Sequence, residues 1–429
     1  MAPVGSRESL AAAINAGAQS VYFGIGQLNM RAHSASTFTI DDLRDIAALC
    51  QQHGMKSYLT VNTVIYGEDI ATMHTIVDAA KAAGISAVIA SDVAVMTYCR
   101  SIQQEVHLST QLNISNIEAL RFYAQFADVV VLARELNMQQ VADIHRQALE
   151  QNICGPSGKP IRIEMFCHGA LCMAISGKCY LSLQNAGRSA NRGECVQICR
   201  RGYRVTDIES GTELEVDNKY IMSPKDLKTI RFIDRMMEAG VRVFKIEGRA
   251  RGPEYVDTVV RCYNEAINAV LHDWEMAGSS ANSGLSANSG LSGLSGQQFT
   301  EEAKDRWDER LSRVFNRGFW DGYYQGQTLG EWNDSYGSKA TEKKVYAAKA
   351  IKYFSRIGVA EFQVEAHEIE VGDDLMITGP TTGCLRLTCD EIRYDLQPVA
   401  RAEKGWRISI PVPEKVRPSD KLFILQKTR

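Results

Sequence analysis

The alternation of strand-like and helix-like segments over roughly the first 270 residues constrains the fold more than any other feature of the chain. The candidate strands are short apolar or β-branched runs at Ser20–Ile25, Lys56–Asn62, Ser86–Ser91, Glu105–Thr110, Asp128–Ala133, Ile161–Phe166 and Val241–Glu247, with a shorter one at Met1–Val4. Eight β/α units in this length predict a (β/α)8 barrel of the TIM type over residues 1–276. A doubly wound open sheet is the alternative, although no G-x-G-x-x-G motif follows the early strands.

The alternation is interrupted between Phe166 and Val241. In a barrel, this segment would start at the carboxyl-terminal ends of the strands, where active sites lie. It also contains five of the 11 cysteines of the chain. We therefore expect residues 167–225 to form a Cys-rich insertion over the barrel mouth.

The remaining third of the chain has a different organisation. Residues 277–298 contain a repeat of A-N-S-G-L-S within Ala277–Gly296, a composition typical of a flexible linker. A helical and aromatic connector follows at 299–343. Short alternating runs separated by turn residues then predict a small all-β barrel over residues 344–429.

Composition narrows the class of protein. No window reaches the roughly 18 uncharged apolar residues of a membrane span, and the N-terminus lacks the apolar region of a signal peptide. These features predict a cytoplasmic protein with no membrane partner. The net charge of −3 argues against a broad nucleic-acid-coating surface, but it allows a local basic patch.

Four cysteines have the strongest metal-binding pattern. Cys172, Cys179, Cys195 and Cys199 are spaced C-x6-C-x15-C-x3-C. Thiolates favour iron–sulfur clusters or zinc, and zinc ribbons usually have two tight pairs whereas only one pair here is tight. The spacing favours a [4Fe–4S] cluster over structural zinc and over unrelated thiols. Cys167 lies nearby but exceeds the four ligands that one site needs.

Positive charge accompanies these cysteines. Five arginines fall within the insertion, at Arg188, Arg192, Arg200, Arg201 and Arg204. Arginine forms bidentate contacts with phosphate and stacks on bases, which predicts an RNA contact through Arg200 and Arg201. The alternative is that these arginines pair with acids elsewhere in the chain.

Polar residues at the predicted strand ends are the other candidates for chemistry. They include Arg31, Asn62, Gln111, Arg134, Glu164, His168, Lys245 and Arg249. Several cations converging on one barrel mouth would suit a small polyanionic ligand. His168 is a candidate general acid or base, although a lone histidine near a strand end is more often structural.

The segment Glu164–Ser182, EMFCHGALCMAISGKCYLS, closely resembles the signature of the collagenase-like peptidase family U32. Further matching stretches are Ser109–Gln111, Arg134–Leu136, Lys245–Arg251 (KIEGRAR) and Phe315–Gly322 (FNRGFWDG). The resemblance therefore extends over nearly the whole chain. The Ala277–Gly296 repeat is a departure from the family pattern.

The resemblance implies more than peptidase chemistry. Members of the family resemble oxygen-independent hydroxylases carrying a [4Fe–4S] cluster, and one branch makes 5-hydroxyuridine at the tRNA wobble position with prephenate as hydroxyl donor. Carried over, the cluster ligands fall on Cys172, Cys179, Cys195 and Cys199. The spacing of Cys195 and Cys199 and the chain length are similar to the tRNA branch.

The resemblance therefore predicts a tRNA uridine hydroxylase. We expect at least two of Arg31, Arg134, Lys245 and Arg249 to bind the carboxylates of prephenate, and His168 to move a proton on it. Asn62, Gln111 and Glu164 are expected to contact substrate. The alternatives are a metal-dependent collagenase-like peptidase, an rRNA cytidine hydroxylase of the same family, and a non-enzymatic RNA-binding protein with structural zinc.

Overall fold

The computed structural model describes residues 1–32, 38–201, 204–214, 222–278, 296–334 and 337–428. Most of the predicted linker, residues 279–295, lies outside the described residues. No helix in the described part of the chain has the length and apolar character needed to cross a membrane.

Short, buried strands form the framework of the first domain. Their bounds are β1 (Ala2–Pro3), β2 (Ser20–Phe23), β3 (Lys56–Val61), β4 (Ala87–Ala90), β5 (Val106–Leu108), β6 (Val129–Val131), β7 (Arg162–Gly169), β8 (Val205–Thr206), β9 (Glu213–Leu214), β10 (Asp226–Lys228), β11 (Val241–Ile246) and β12 (Phe319–Trp320).

The first seven strands pair in chain order, each parallel to the next, and β11 adds to β7, also in parallel. Strands covered on both faces are apolar throughout, and β4 and β6 are buried at every residue. The predicted parallel sheet of β/α units is therefore confirmed. Met1, directly before β1, contacts β11: its amino group donates to Phe244 O at 2.7 Å, and its carbonyl accepts from Ile246 N at 3.1 Å. Closure of the whole sheet into a ring stays a prediction.

Helices follow these strands as the sequence pattern predicts. Their bounds are α1 (Arg7–Asn15), α2 (Leu43–Gln52), α3 (Ile70–Ala83), α4 (Val93–Ser101), α5 (Ile117–Ala124), α6 (Met138–Glu150), α7 (Leu181–Ala186), α8 (Ile233–Glu238), α9 (Pro253–Met276) and α10 (Glu301–Arg313). Local sequence fixes several of their starts. At α6, for example, the Asn137 side chain accepts from Gln140 N while the Gln140 side chain accepts from Asn137 N, which satisfies two otherwise free donors.

Two further short strands add to the first sheet: β10, directly after residues 167–225, and β12 in the connector. β10 pairs antiparallel with β7, and β12 pairs parallel with β10. The sequence pattern predicted a helical and aromatic connector at 299–343, and it missed both pairings because strands of two or three residues have no readable periodicity. This addition brings the connector beside the end of β7. The strands β8 and β9 form a separate hairpin in the insertion.

The C-terminal domain contains an antiparallel sheet, as predicted. Its strands are β13 (Glu342–Phe354), β14 (Val359–Val364), β15 (Ile369–Glu370), β16 (Asp374–Gly379), β17 (Gly383–Thr388), β18 (Ile392–Tyr394), β19 (Gln397–Val399), β20 (Arg401–Ala402), β21 (Arg407–Pro411) and β22 (Lys421–Lys427). Eight of them pair in the order β17-β16-β22-β13-β14-β21-β18-β19, and β15 pairs with β20. Closure of this sheet into a barrel stays a prediction.

The two domains pack through α1. Gly383 approaches this helix so closely that a Cβ there would lie 2.7 Å from Ala12 N. The Asn15 side chain donates to Thr382 O at 3.1 Å, and Lys344 Nζ lies 2.8 Å from Glu254 Oε1. The C-terminal sheet therefore contacts the outer helices of the first domain.

Candidate active site

One cavity of about 220 Å3 collects most of the residues that the sequence predicts for chemistry. Its volume lies just below the ~300–1,000 Å3 typical of small-molecule sites, so it suits a small molecule or a single base. The predicted residues that line it are Arg31, Asn62, Gln111, Arg134, Lys245, Arg249, Arg200 and the four cysteines. Glu164, His168 and Arg201 do not line it.

The floor of the cavity consists of strand ends of the first sheet. Arg31 follows β2, Asn62 follows β3 and Arg134 follows β6. Because parallel strands end at the same edge of a sheet, the three residues come to the same side of the domain. The Asn62 side chain donates to Ser109 Oγ at 3.2 Å and to Gln111 Oε1 at 3.4 Å. These contacts hold the amides in place beneath the cysteines.

Two glycines allow the insertion to fold back over this floor. Gly169, at the end of β7, has a φ of +104°, and a Cβ there would lie 2.3 Å from Glu247 O. Gly193 has a φ of +85°, and a Cβ there would lie 2.2 Å from Asn29 O. No other residue type fits such approaches without moving the backbone. The insertion is therefore held directly against the loops that carry Arg31 and Glu247.

The four predicted cysteine ligands all line the cavity. Cys172 is exposed and the other three are partly buried. Burial raises the pKa of the Cys199 thiol to about 11, and the other three cysteines act in the same direction, so the four sulfurs lie within electrostatic range. Within the described ranges, no three His, Cys, Asp or Glu side chains stand close enough to hold one metal ion. What the four cysteines share is therefore the cavity that they line.

Cys167 differs from these four cysteines. It is fully buried on β7, its Sγ donates to Lys245 O at 3.4 Å, and burial raises the pKa of its thiol to about 12. Cys167 does not line the cavity, although its neighbour Phe166 does. This placement agrees with its exclusion from the predicted ligand set.

Cations greatly outnumber carboxylates in the cavity. The cationic residues that line it are Arg31, Arg134, Arg200, Lys245, Arg249, Arg251 and Arg317. Glu247 is the carboxylate among the lining residues, and Arg31 Nη2 lies 2.9 Å from its Oε1. Burial by itself raises the pKa of Glu247, but attraction to Arg31, Arg134 and Arg249 outweighs it and lowers the pKa to about 2.

Arg134 and Arg249 have unused hydrogen-bonding capacity. Arg134 lies over the Phe166 ring at 3.8 Å and donates through Nη1 to Ala170 O at 3.2 Å. Arg249 donates through Nη1 to Thr60 Oγ1 at 2.8 Å and to Asn29 Oδ1 at 3.3 Å. The Nε of each is buried and has no partner in the described part of the protein. Burial lowers the pKa of Arg249 to about 10.

Lys245 and Glu164 neutralise each other beneath the cavity. Lys245 Nζ lies 2.7 Å from Glu164 Oε1, and both side chains are almost fully buried. The Lys245 ammonium also lies 4.9 Å from the centre of the Tyr22 ring. Lys245 thus contributes less free charge to the cavity than the sequence suggested, and Glu164 supports it from outside the lining.

His168 lies apart from the cavity. Its ring is buried among Tyr255, Tyr263 and Phe319, and its Nδ1 lies 3.4 Å from Tyr263 Oη. Burial, with a smaller effect of Lys228, lowers the pKa of His168 to about 3. His168 is therefore neutral near pH 7, and it packs among the aromatic side chains of α9 and the connector.

The insertion arginines have divergent orientations. Arg200 points inward, donating to Leu171 O at 2.5 Å, Pro224 O at 2.7 Å and Ser223 Oγ at 2.9 Å. Arg192 pairs with Asp69 and stacks on Tyr66. Arg188 and Arg201 are exposed. Arg200 connects the insertion to the domain beneath it, whereas Arg201 is exposed, and a joint contact of the two with RNA stays a prediction.

The sequence pattern assigned no role to several other lining residues, among them Tyr22, Thr60, Arg251 and Arg317. Arg251 lies in KIEGRAR and Arg317 in FNRGFWDG, so the motif matches contained a signal for both. Arg317 reaches the cavity only through the pairing of β12 with β10, which the sequence pattern could not predict.

Comparison with known proteins relates this arrangement to one family. The sequence profile of Peptidase family U32 matches residues 5–334. A collagenase from Porphyromonas gingivalis is 64% identical over 427 residues, which cover 100% of this chain and 97% of that protein. The tRNA hydroxylation protein P1 of Bacillus subtilis is 36% identical over 282 residues, covering 64% of each chain. A 23S rRNA 5-hydroxycytidine synthase of Escherichia coli is 34% identical over 263 residues, covering 61% of this chain and 38% of that protein.

Proposed function

The chain belongs to Peptidase family U32, and from that premise we propose that it is a tRNA-modifying enzyme that hydroxylates the wobble uridine at C5 without oxygen, using prephenate as the hydroxyl donor. The observation that carries this proposal is the composition of the cavity, where six arginines, one lysine and four cysteines accompany a single carboxylate. Such a cavity favours a small polyanion.

The cysteines fit the donor set of a [4Fe–4S] cluster. Such a cluster takes one thiolate at each of four irons, so its ligands surround it, whereas a zinc ion draws four ligands to ~2–2.3 Å from one point. Cys172, Cys179, Cys195 and Cys199 would hold the cluster, which would supply one-electron chemistry next to the cavity. The neighbouring cations Arg31 and Arg200 offset the negative charge of four thiolates.

Arg134 and Arg249 are suited to bind the carboxylates of prephenate. Their buried Nε atoms have no partner in the described structure, and both residues line the same cavity. Aromatic stacking and hydrogen bonds already fix both guanidinium groups, so little side-chain entropy is lost when a carboxylate binds. Tyr22 and Phe166 provide the apolar surface against which the ring of the donor would pack.

The target base has a chemical reason to enter this site. C5 of uridine is the nucleophilic carbon of an enamine-like system, so it is the ring carbon that reacts most readily in an oxidative substitution. The wobble base is single-stranded and can be splayed into a pocket without breaking a base pair. By their names, the relatives from Bacillus subtilis and Escherichia coli act in tRNA hydroxylation and in rRNA cytidine hydroxylation.

Peptide hydrolysis is the second candidate, because the relative that is 64% identical is named a collagenase. Hydrolysis needs a positioned general base or an activated nucleophile. Histidine is not among the residues that line the cavity. The neighbouring arginines lower the pKa of Glu247 to about 2, which makes its carboxylate a weak base. The lining therefore supports a hydrolase less well than a site for polyanions.

An anaerobic assay tests the proposal. Purified protein with iron and sulfide restored would be incubated with unmodified tRNA and prephenate, and the nucleosides analysed by mass spectrometry. We expect 5-hydroxyuridine that depends on both prephenate and Cys172. A parallel incubation with gelatin tests the peptidase alternative, and an rRNA fragment tests cytidine hydroxylation. Gelatin cleavage without any modified nucleoside would overturn the proposal.

A further inference from the structure

A second group of cations lies in the cavity, separate from the one assigned to prephenate. The Arg251 guanidinium carbon stands 3.4 Å from the centre of the Phe315 ring, and that of Arg317 stands 5.1 Å from the same ring. Arg251 and Arg317 both line the cavity. One aromatic ring thus holds two guanidinium groups next to each other.

These two arginines have little internal compensation for their charge. In the described residues, no hydrogen bond or ion pair involves the Arg251 guanidinium. Arg317 Nη1 lies 3.4 Å from Asp226 Oδ1, which is a long contact. The Asp226 carboxylate also interacts electrostatically with Arg200. Three arginines therefore surround one buried acid. Burial lowers the pKa of Arg251, and repulsion from Arg317 adds to this effect.

Aromatic contacts distinguish this group from Arg134 and Arg249. Arg251 and Arg317 lie over Phe315, whereas Arg134 lies over Phe166 and Arg249 over Tyr22. The arginines that lower the pKa of Glu247 are Arg31, Arg134 and Arg249. Burial raises the pKa of Asp226, and the arginines that oppose this are Arg317, Arg251 and Arg200. Arg251 also interacts with Glu247, so the two groups of cations share one cavity and differ in the ring that each contacts. The Arg251 region is nearer to solvent, since Arg251 is partly exposed whereas Arg249 is buried.

We propose that Arg251 and Arg317 bind a backbone phosphodiester of the RNA, next to the nucleotide whose base enters the cavity. This inference rests on the proposed function. A splayed nucleotide brings its own phosphate to the cavity rim, and two guanidinium groups held side by side match the tetrahedral oxygens of that phosphate. The inner region then remains free for the carboxylates of the donor.

The test compares the salt dependence of RNA binding in three variants. The probe is a hairpin RNA with a single-stranded, uridine-containing loop. Arg251→Met keeps the contact with Phe315 but removes the charge, and Arg251→Lys keeps the charge. Arg235→Met removes a charge from the exposed surface of α8 and is the matched control.

We expect Arg251→Met to weaken binding by on the order of tenfold and to reduce the slope of log K against log salt by about 0.7, the value for one phosphate contact in a single strand. Arg251→Lys should restore the slope, and Arg235→Met should bind as the wild type does. Iron content and prephenate binding should be unchanged in all three variants.

The outcomes separate this inference from the proposed function. If the wild type binds the hairpin and Arg251→Met leaves affinity and slope unchanged, the phosphate site is refuted and the hydroxylase proposal stands. Loss of prephenate binding in Arg251→Met would also refute it, because the region would then serve the donor. A wild type that binds no RNA at any salt concentration would overturn both.

Discussion

Lys245 Nζ lies 2.7 Å from Glu164 Oε1 in the interior of the first domain, with the two side chains 5% and 0% exposed. Glu164 Oε2 has no hydrogen-bond partner in the described structure, and His107 Nδ1 is 3.9 Å away from it. The pair thus depends on each partner to neutralise the other, directly below the cavity.

Breaking this buried pair should lower the free energy of unfolding more than breaking an exposed ion pair does. We expect Glu164→Gln to reduce the free energy of unfolding by ~3–5 kcal/mol, because it leaves a buried ammonium uncompensated. The double variant Glu164→Gln with Lys245→Met should recover part of that loss. Urea unfolding measures both. The control, Glu150→Gln in the exposed Arg146–Glu150 pair, should cost less than ~0.5 kcal/mol. Equal losses in the two single variants would show that the buried pair is not structural.

The cluster prediction concerns iron content. Each of Cys172, Cys179, Cys195 and Cys199 changed to Ser should abolish the brown colour of anaerobically purified protein and remove bound iron and sulfide. Cys167→Ser is the matched control and should keep the colour, because Cys167 is buried outside the cavity that the four other cysteines line. Colourless wild-type protein with one tightly bound zinc ion per chain would contradict the assignment.

The donor prediction concerns the geometry of two arginines. Arg134→Lys and Arg249→Lys should keep the fold and the iron content but lower hydroxylation at limiting prephenate by about 10- to 100-fold, as expected when a hydrogen bond worth ~1.5–3 kcal/mol to a charged group is removed. Lysine cannot reproduce the planar fork of arginine. Wild-type rates in both variants would place the donor elsewhere.

The RNA prediction uses the exposed members of the arginine cluster. Arg188→Ala with Arg201→Ala should weaken tRNA binding and reduce the salt slope by about 0.7–0.9 for each phosphate that is no longer neutralised. Arg200→Ala should instead loosen the insertion, since Arg200 holds Leu171 O, Pro224 O and Ser223 Oγ. Limited proteolysis distinguishes these effects. An unchanged slope in the double variant would assign Arg188 and Arg201 to the solvated surface.

The buried His168 should make stability depend on pH. The unfolded chain protonates this ring near its ordinary pKa of 6.5, whereas the folded chain does so only near 3. The stability contributed by the neutral ring is therefore complete above pH 6.5 and falls by up to ~1.36 kcal/mol per unit as the pH decreases toward 3.

Between pH 7 and pH 5.5, this effect amounts to about 1 kcal/mol. His168→Asn should reduce the acid-induced loss of unfolding free energy by that amount, and His53→Asn, on the surface at the end of α2, should not. Identical pH dependence in the wild type and His168→Asn would contradict the burial of a neutral ring.

Periodicity and spacing predicted much of this architecture. The parallel strands and the helices between them follow from the apolar runs, and the family resemblance of Glu164–Ser182 is confirmed by the match over residues 5–334. Some residues that line the cavity were predictable because they follow a strand of the parallel sheet, as Arg31, Asn62 and Arg134 do.

Long-range contacts were not predictable in the same way. The inward direction of Arg200, the pairing of Lys245 with Glu164 and the arrival of Arg317 at the cavity each depend on chain segments far apart in sequence. Strand alternation alone would place His168 on the same face of β7 as Phe166. A register shift between the pairs Lys245–Phe166 and Ile246–His168 and the aromatic residues of α9 and the connector accompany its separation from the cavity, and neither was visible in the local pattern.

The most direct test of the proposed function is a comparison of tRNA nucleosides from cells that lack this protein and cells that express it. We predict that 5-hydroxyuridine and nucleosides derived from it are absent without the protein, return with the wild type, and remain absent with Cys172→Ser. An identical nucleoside profile in all three strains, grown under conditions where no other hydroxylase acts on this position, would contradict the proposed function.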